Sequence, residues 1–150
     1  MTRYVKWNDI LAMKKTMRWF VYSWRVSEHI WCGTLGDNLE EGKKLDASNY
    51  LDHSCHPSIG FHGDHNMISI RDIKQGELIS YDYAMSECDV AFWDPMKCHC
   101  GTPQCRGSIT ASDYRLPHLQ SAYAEYFLPR IQRRLKILSL PPSYFGESGD

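Results

Sequence analysis

The sequence predicts a small, mainly β protein with short helices, an α+β chain whose helical pattern is confined to its C-terminal part. Three observations predict it. Aromatic and β-branched residues gather in short runs separated by turn-forming residues. Apolar side chains at helical spacing begin only at Leu116. Between these regions lies 97-KCHCGTPQCRG-107, punctuated by glycine and proline and too poor in apolar residues to be held by a core.

Taken in order, residues 8–17 (NDILAMKKTM) predict a short helix capped by Asn8 or Asp9. Residues 19–26 (WFVYSWRV) predict a strand, and 28–33 (EHIWCG) its antiparallel partner. From Thr34 to Ser48 the chain is polar and reads as a loop. MISIRDI, 67–73, predicts another strand, KQG a turn, and ELISYDY, 77–83, a further strand. After the cysteine segment, Leu116, Leu119, Tyr123, Tyr126 and Phe127 fall on one helical face. Pro129 interrupts that helix, IQRRLKIL adds a turn or two, and PPSYFGESGD reads as a frayed tail. Arg130, Arg133, Arg134 and Lys136 read as a solvated helix face.

A chain of 150 residues suits one core, and 43% hydrophobic and 13% aromatic content is too apolar for a disordered chain. A formal net charge of −1 gives no global attraction to nucleic acid or to an anionic membrane. The N-terminal residues have no uninterrupted apolar core of signal-peptide length, and no run approaches the roughly 18 apolar residues of a membrane span. The expectation is an intracellular protein, in cytoplasm or nucleus, whose thiols stay reduced.

In that compartment Cys98, Cys100 and Cys105 point to metal rather than disulfide. Zinc in structural sites takes four ligands tetrahedrally. The fourth would come from Cys55, Cys88, Cys32 or a histidine, with His53, His56, His62 and His65 crowded around Cys55. Spacing alone does not choose among them. In 79-ISYDY-83, strand alternation places Tyr81 and Tyr83 on one side and Asp82 on the other.

Three stretches in order resemble the C-terminal half of the SET-domain protein lysine methyltransferases with their post-SET zinc loop. They are 49-NYLDHSCHPS-58, like R-F-I-N-H-S-C-x-P-N; 71-RDIKQGELISYDY-83, like R-D-I-x-x-G-E-E-L-x-x-D-Y; and 98-CHCGTPQCRG-107, like C-x-C-x4-C-x-G. The resemblance implies a SET-like fold of small sheets with a pseudoknot. It also implies a division into a partial SET domain with its zinc loop at 1–107, best matched over 49–107, and a helical extension and tail at 108–150. By the same resemblance one structural Zn²⁺ would be held by Cys55, Cys98, Cys100 and Cys105. S-adenosyl-L-methionine would lie against Asp52, His53 and His99. Tyr83 would be the catalytic tyrosine, and Tyr81, at the position that limits methyl number, would bias the product toward monomethyl-lysine.

The implied function is methyl transfer to a lysine side chain of a protein, histone or other, with no nucleic acid or membrane as partner. Acidic Asp82, Glu87, Asp89 and Asp94 would suit a basic peptide. The match departs from the family at Asn49, Asp52 and Ser58, and no G-x-G turn precedes Tyr50. The alternative is a non-catalytic, zinc-stabilised SET-like module that binds a protein, or a truncated fragment of the enzyme.

Overall fold

The structure is a computed structural model that describes residues 2–6, 23–25, 30–34, 50–88 and 95–140. The helix expected at 8–17, most of the loop expected at 34–48 and the tail from Pro141 lie outside the described residues.

Strand β1 (Thr2–Lys6), β2 (Ser23–Arg25) and β3 (Ile30–Thr34) form an antiparallel sheet in the order β1-β3-β2. The expected pairing of the two aromatic stretches is present, with Ser23 opposite Gly33 and Arg25 opposite Trp31.

From Asp52 to Ile109 the sheets are two-stranded pairs. Strand β4 (Asp52–His53) runs parallel to β7 (Ser80–Tyr81), with Asp52 opposite Ser80 and His53 opposite Tyr81. Parallel neighbours need a long crossover, here supplied by the antiparallel hairpin β5 (Ile59–His62) and β6 (Asn66–Ser69) and the turn that follows it. The pairing extends beyond the strands. Ser54 donates to the Tyr81 carbonyl and Ser58 to that of Ser80, each at 3.0 Å. Ser58 is fully buried, and its hydroxyl accepts from the Ser80 amide at 3.1 Å.

The strands are shorter than the sequence predicts. ELISYDY keeps only Ser80–Tyr81 as strand, and Leu78 is 87% exposed. From Tyr83 to Met85 the chain instead winds into a 3₁₀ turn, capped by the Asp82 carboxylate accepting from the Ala84 amide at 3.0 Å. Asp82 is a short polar side chain with extended backbone, the usual form of such a cap.

Strands β8 (Met96–Lys97) and β9 (Ser108–Ile109) pair antiparallel and frame the cysteine loop. Beyond a second 3₁₀ turn, Asp113–Arg115, come α1 (Pro117–Tyr123) and α2 (Pro129–Leu138). Each has proline in its first turn, where the missing N–H costs nothing. The first helix ends at Tyr123, well before Pro129, so Tyr126 and Phe127 lie in the turn between the helices and Pro129 starts the second helix without interrupting the first.

One core joins these parts. Phe61, Met85, Tyr114, Leu119, Phe127 and Ile131 are buried together, and the Leu128 amide donates to the Met85 carbonyl at 3.0 Å. Of the face expected to be solvated, Arg133 and Lys136 are exposed. Arg130 is a correction: it is only 4% exposed, with one guanidinium nitrogen 2.8 Å from the Cys88 sulfur and another on the Ser86 carbonyl. Its alkyl stem lies on the helix side that turns toward the core, beside Ile131. Among the described residues, no helix is long and apolar enough to cross a membrane.

Candidate metal centre

The β8–β9 hairpin brings the ends of the cysteine loop together, and the Cys98 amide donates to the Gly107 carbonyl at 2.9 Å. Gly107 has φ +71°, a left-handed turn that side chains with a Cβ disfavour. Here it folds Cys105 back toward Cys98. Cys55, which follows β4, arrives from across the parallel pair. The sulfurs of Cys55, Cys98, Cys100 and Cys105 all lie within 4.8 Å of one another.

All four are free thiols, and Cys55 and Cys98 stand 3.8 Å apart. A disulfide needs about 2.05 Å. Tetrahedral Zn–S bonds of about 2.3 Å put neighbouring sulfurs about 3.8 Å apart. The donor set therefore fits one soft divalent metal. Among the described residues His56, His62 and His65 are exposed and stand outside this cluster. Cys88 lies elsewhere, buried under Arg130 and Arg134. The side chain of Cys32 lies outside the described residues.

Hydrogen-bond groups ring the sulfurs. The Arg106 amide lies 3.4 Å from Cys55 Sγ, the Gly107 amide 3.4 Å from Cys105 Sγ, and the Thr102 hydroxyl 3.3 Å from Cys100 Sγ. Burial alone would raise the Cys100 thiol, yet the Thr102 hydroxyl and backbone amides bring it down to about 5. Burial, with neighbouring thiols adding to it, pushes Cys98 up to about 12.

The His53 imidazole connects this cluster to the tyrosines. Its side chain is 6% exposed, with Nε2 3.3 Å from Cys55 Sγ and Nδ1 3.2 Å from the Tyr83 amide. Its ring stands 5.1 Å from that of Tyr83, which stands 5.1 Å from that of Tyr81. Tyr81 packs edge-on against Phe61 at 5.5 Å, and the Ser86 hydroxyl lies 3.5 Å from the Tyr81 hydroxyl. The two tyrosines thus converge although only the first is in a strand. Burial, with the carboxylates of Asp52 and Glu87, raises the Tyr83 phenol above its ordinary value. Deeper burial raises Tyr81 further.

Asp52 and His99, the other residues expected against a cofactor, have exposed side chains. The His53 imidazole is committed to protein partners at both nitrogens. Asp82, expected to offer charge to a basic peptide, is fully buried instead. Arg106 grips it with two nitrogens at 2.6 and 2.8 Å and reaches Asp113 with its Nε at 3.0 Å. Asp89 and Asp94 lie outside the described residues. Arg106 carried no signal in the sequence, because an ion pair to Asp82 across 24 residues leaves no local pattern.

No protein-family model matches the chain. It is similar to the histone-lysine N-methyltransferase ASHH2 of Arabidopsis thaliana, 28% identical over 97 residues, 59% of this chain. It is also similar to the histone-lysine N-methyltransferase ash1 of Drosophila melanogaster, 30% identical over 106 residues, 65% of this chain. The match spans only 5% of the length of either relative. The assembled cysteine cluster and the three motifs stand alongside these two matches, so over 59–65% of its length this chain is similar to short parts of two histone-lysine methyltransferases.

Proposed function

We propose that this chain is a SET-type methyltransferase module that uses S-adenosyl-L-methionine to methylate a lysine of a protein, with histones the first substrates to test. The observation that carries the reading is the convergence of Tyr81 and Tyr83, 5.1 Å apart, beside a four-cysteine cluster. Its two matched relatives are histone-lysine methyltransferases by name. A histone substrate would place the protein in the nucleus.

One Zn²⁺ on Cys55, Cys98, Cys100 and Cys105 would hold the loop against β4 as a structural ion. The cofactor would supply a methyl group on a sulfonium. Of the three residues assigned to it, Asp52 and His99 have side chains free to reach a ligand, whereas His53 would contribute backbone only. The family's threaded pseudoknot would pass through the β4–β7 pair.

The chain's own groups account for the rest. A lysine amine has a pKa of ~10.4, so its neutral form costs about 4–5 kcal/mol at pH 7. Aromatic walls disfavour the ammonium and so lower that cost. Tyr83 and Tyr81 stay protonated well above pH 7, because burial raises both phenols. They act as hydrogen-bonding, π-faced walls that orient the amine and are not bases. Asp52 and Glu87, whose charges are felt at Tyr83, would draw the incoming ammonium toward the aromatic pair.

The test is calorimetric titration of S-adenosylhomocysteine into zinc-loaded protein, followed by methyl transfer to purified histones read by mass spectrometry. One saturable site per chain and a methylated lysine are expected. A chain that carries zinc, binds no S-adenosylhomocysteine and methylates nothing would instead be a zinc-stabilised binding module. Asp52 in place of the family's asparagine and the missing G-x-G turn favour that second reading.

A further inference from the structure

We propose that His53 is a positioning residue coupling the metal centre to the Tyr83 phenol, with Arg106 as a second strut, so that metal occupancy sets the geometry of the tyrosine pair. The proposal deepens the methyltransferase reading and rests on it only for the consequence in catalysis.

The geometry of the ring decides what His53 does. The Tyr83 backbone N–H can only donate, and it points at Nδ1 from 3.2 Å. Nδ1 must then be the unprotonated nitrogen, which leaves the proton of the neutral ring on Nε2. Nε2 lies 3.3 Å from Cys55 Sγ, so that proton is donated to the sulfur. An imidazolium would set N–H against N–H at Tyr83. The Asp82 carboxylate, 3.7 Å from Nδ1, is already gripped by the Arg106 guanidinium. One side chain therefore touches a sulfur of the cluster and the backbone of the proposed catalytic tyrosine.

Arg106 makes the parallel connection. Its amide lies 3.4 Å from the same Cys55 sulfur, while its guanidinium clamps Asp82, the residue before Tyr83. Two paths from one sulfur thus converge on neighbouring residues, one on the Asp82 carboxylate and one on the Tyr83 amide. A metal-bound thiolate accepts hydrogen bonds more strongly than a neutral thiol, and such outer partners orient ligands at metal sites. Metal loading should tighten both paths at once. Removing it should loosen the tyrosine pair.

The experiment is NMR on ¹⁵N-labelled, zinc-loaded protein, with cobalt(II)-loaded protein as optical companion. Long-range ¹H–¹⁵N spectra should show His53 as the Nε2–H tautomer, and zinc titration should shift the Tyr83 amide but not that of Arg133. His53→Leu should still bind one metal, with affinity lower by roughly 10–100-fold, and with a moved Tyr83 amide and sulfur-to-cobalt absorption. His53→Gln, which keeps a donor and an acceptor, should restore part of each. An Nδ1–H tautomer in loaded wild type overturns the proposal, as does a Tyr83 amide indifferent to zinc; neither result needs a folded variant. A His53→Leu protein with unchanged spectra and affinity also overturns it. None of these readouts involves S-adenosylmethionine. Absent methyl transfer with the coupling intact would therefore sink only the enzyme reading.

Discussion

At the scale of single residues, the tyrosine pair and one glycine carry the sharpest expectations. Tyr83 is held through its amide by His53, and its ring packs against those of His53 and Tyr81, contacts that a phenylalanine ring can keep. Tyr83→Phe should cut methyl transfer by a factor of ten or more, at about 1.4 kcal/mol per tenfold, while zinc content by mass spectrometry stays at one per chain. Equal losses of folding and activity would refute the role. Tyr81 has its hydroxyl 3.5 Å from the Ser86 hydroxyl, within a core that also includes Phe61. Tyr81→Phe removes that oxygen, and the product should broaden from monomethyl toward di- and trimethyl-lysine in mass spectra of the modified peptide. Gly60 is different in kind. A Cβ there would stand 2.7 Å from Tyr126 Cβ and 3.1 Å from Ile70 Cγ2, and neither neighbour is a flexible tip. Gly60→Ala should destabilise by about 1–3 kcal/mol in urea unfolding, with the metal site unaffected at saturating zinc.

At the scale of elements, α2 is fastened at its buried side by charge as well as by oil. Arg130 reaches the Ser86 carbonyl and the Cys88 sulfur from the first turn of the helix, beside the buried Ile131. Hydrogen bonds to charged groups contribute about 1.5–3 kcal/mol. Arg130→Ala should lower stability by about that much in a thermal melt, whereas exposed Arg133→Ala should change it by less than about 0.5 kcal/mol. Equal small effects would mean that α2 docks by its apolar residues alone. The contrast also shows where reading a helix face from composition stops. Four basic residues in one stretch look alike in sequence, and only the partner surface tells which one is inside.

At the scale of the whole molecule, metal and fold should be coupled. The cysteine loop has little apolar content and is tied to β4 through the four sulfurs. Structural zinc in small sites contributes on the order of 10–16 kcal/mol, comparable with the entire stability of a domain at about 5–15 kcal/mol. Chelation should lower the melting temperature and expose the loop to protease at residues 98–107 before the helices are cut. Acid should do the same. Metal ligation needs thiolates, and the Cys98 thiol is pushed up to about 12 by burial, so its proton must be expelled on loading. Proton competition therefore favours the metal-free form as pH falls, and zinc affinity measured against a chelator should weaken steadily below neutral pH. An affinity that does not change with pH would argue against thiolate ligation.

Read alone, the sequence predicts the pairing of its two aromatic strands, the helical C-terminal pattern, three of the clustered cysteines by spacing, and the fourth through its resemblance to lysine methyltransferases. These are legible because each depends on neighbours a few residues apart: alternation, helical spacing, turn chemistry, ligand spacing within one loop. Spacing leaves the fourth member of the cluster open and the resemblance points to Cys55; tertiary structure brings Cys55 to the other three and breaks ELISYDY into two residues of strand and a 3₁₀ turn at Tyr83. It also decided that Asp82 turns inward to Arg106, that Arg130 is buried, and that His53 faces a sulfur and an amide instead of solvent. Apart from the His53 contact with the nearby Cys55 sulfur, those outcomes are pairings across 24 to 51 residues or a capping choice made by the surrounding fold. The energy of a buried charge or a shared sulfur depends on which partner stands opposite it, and that partner is chosen only when the chain closes.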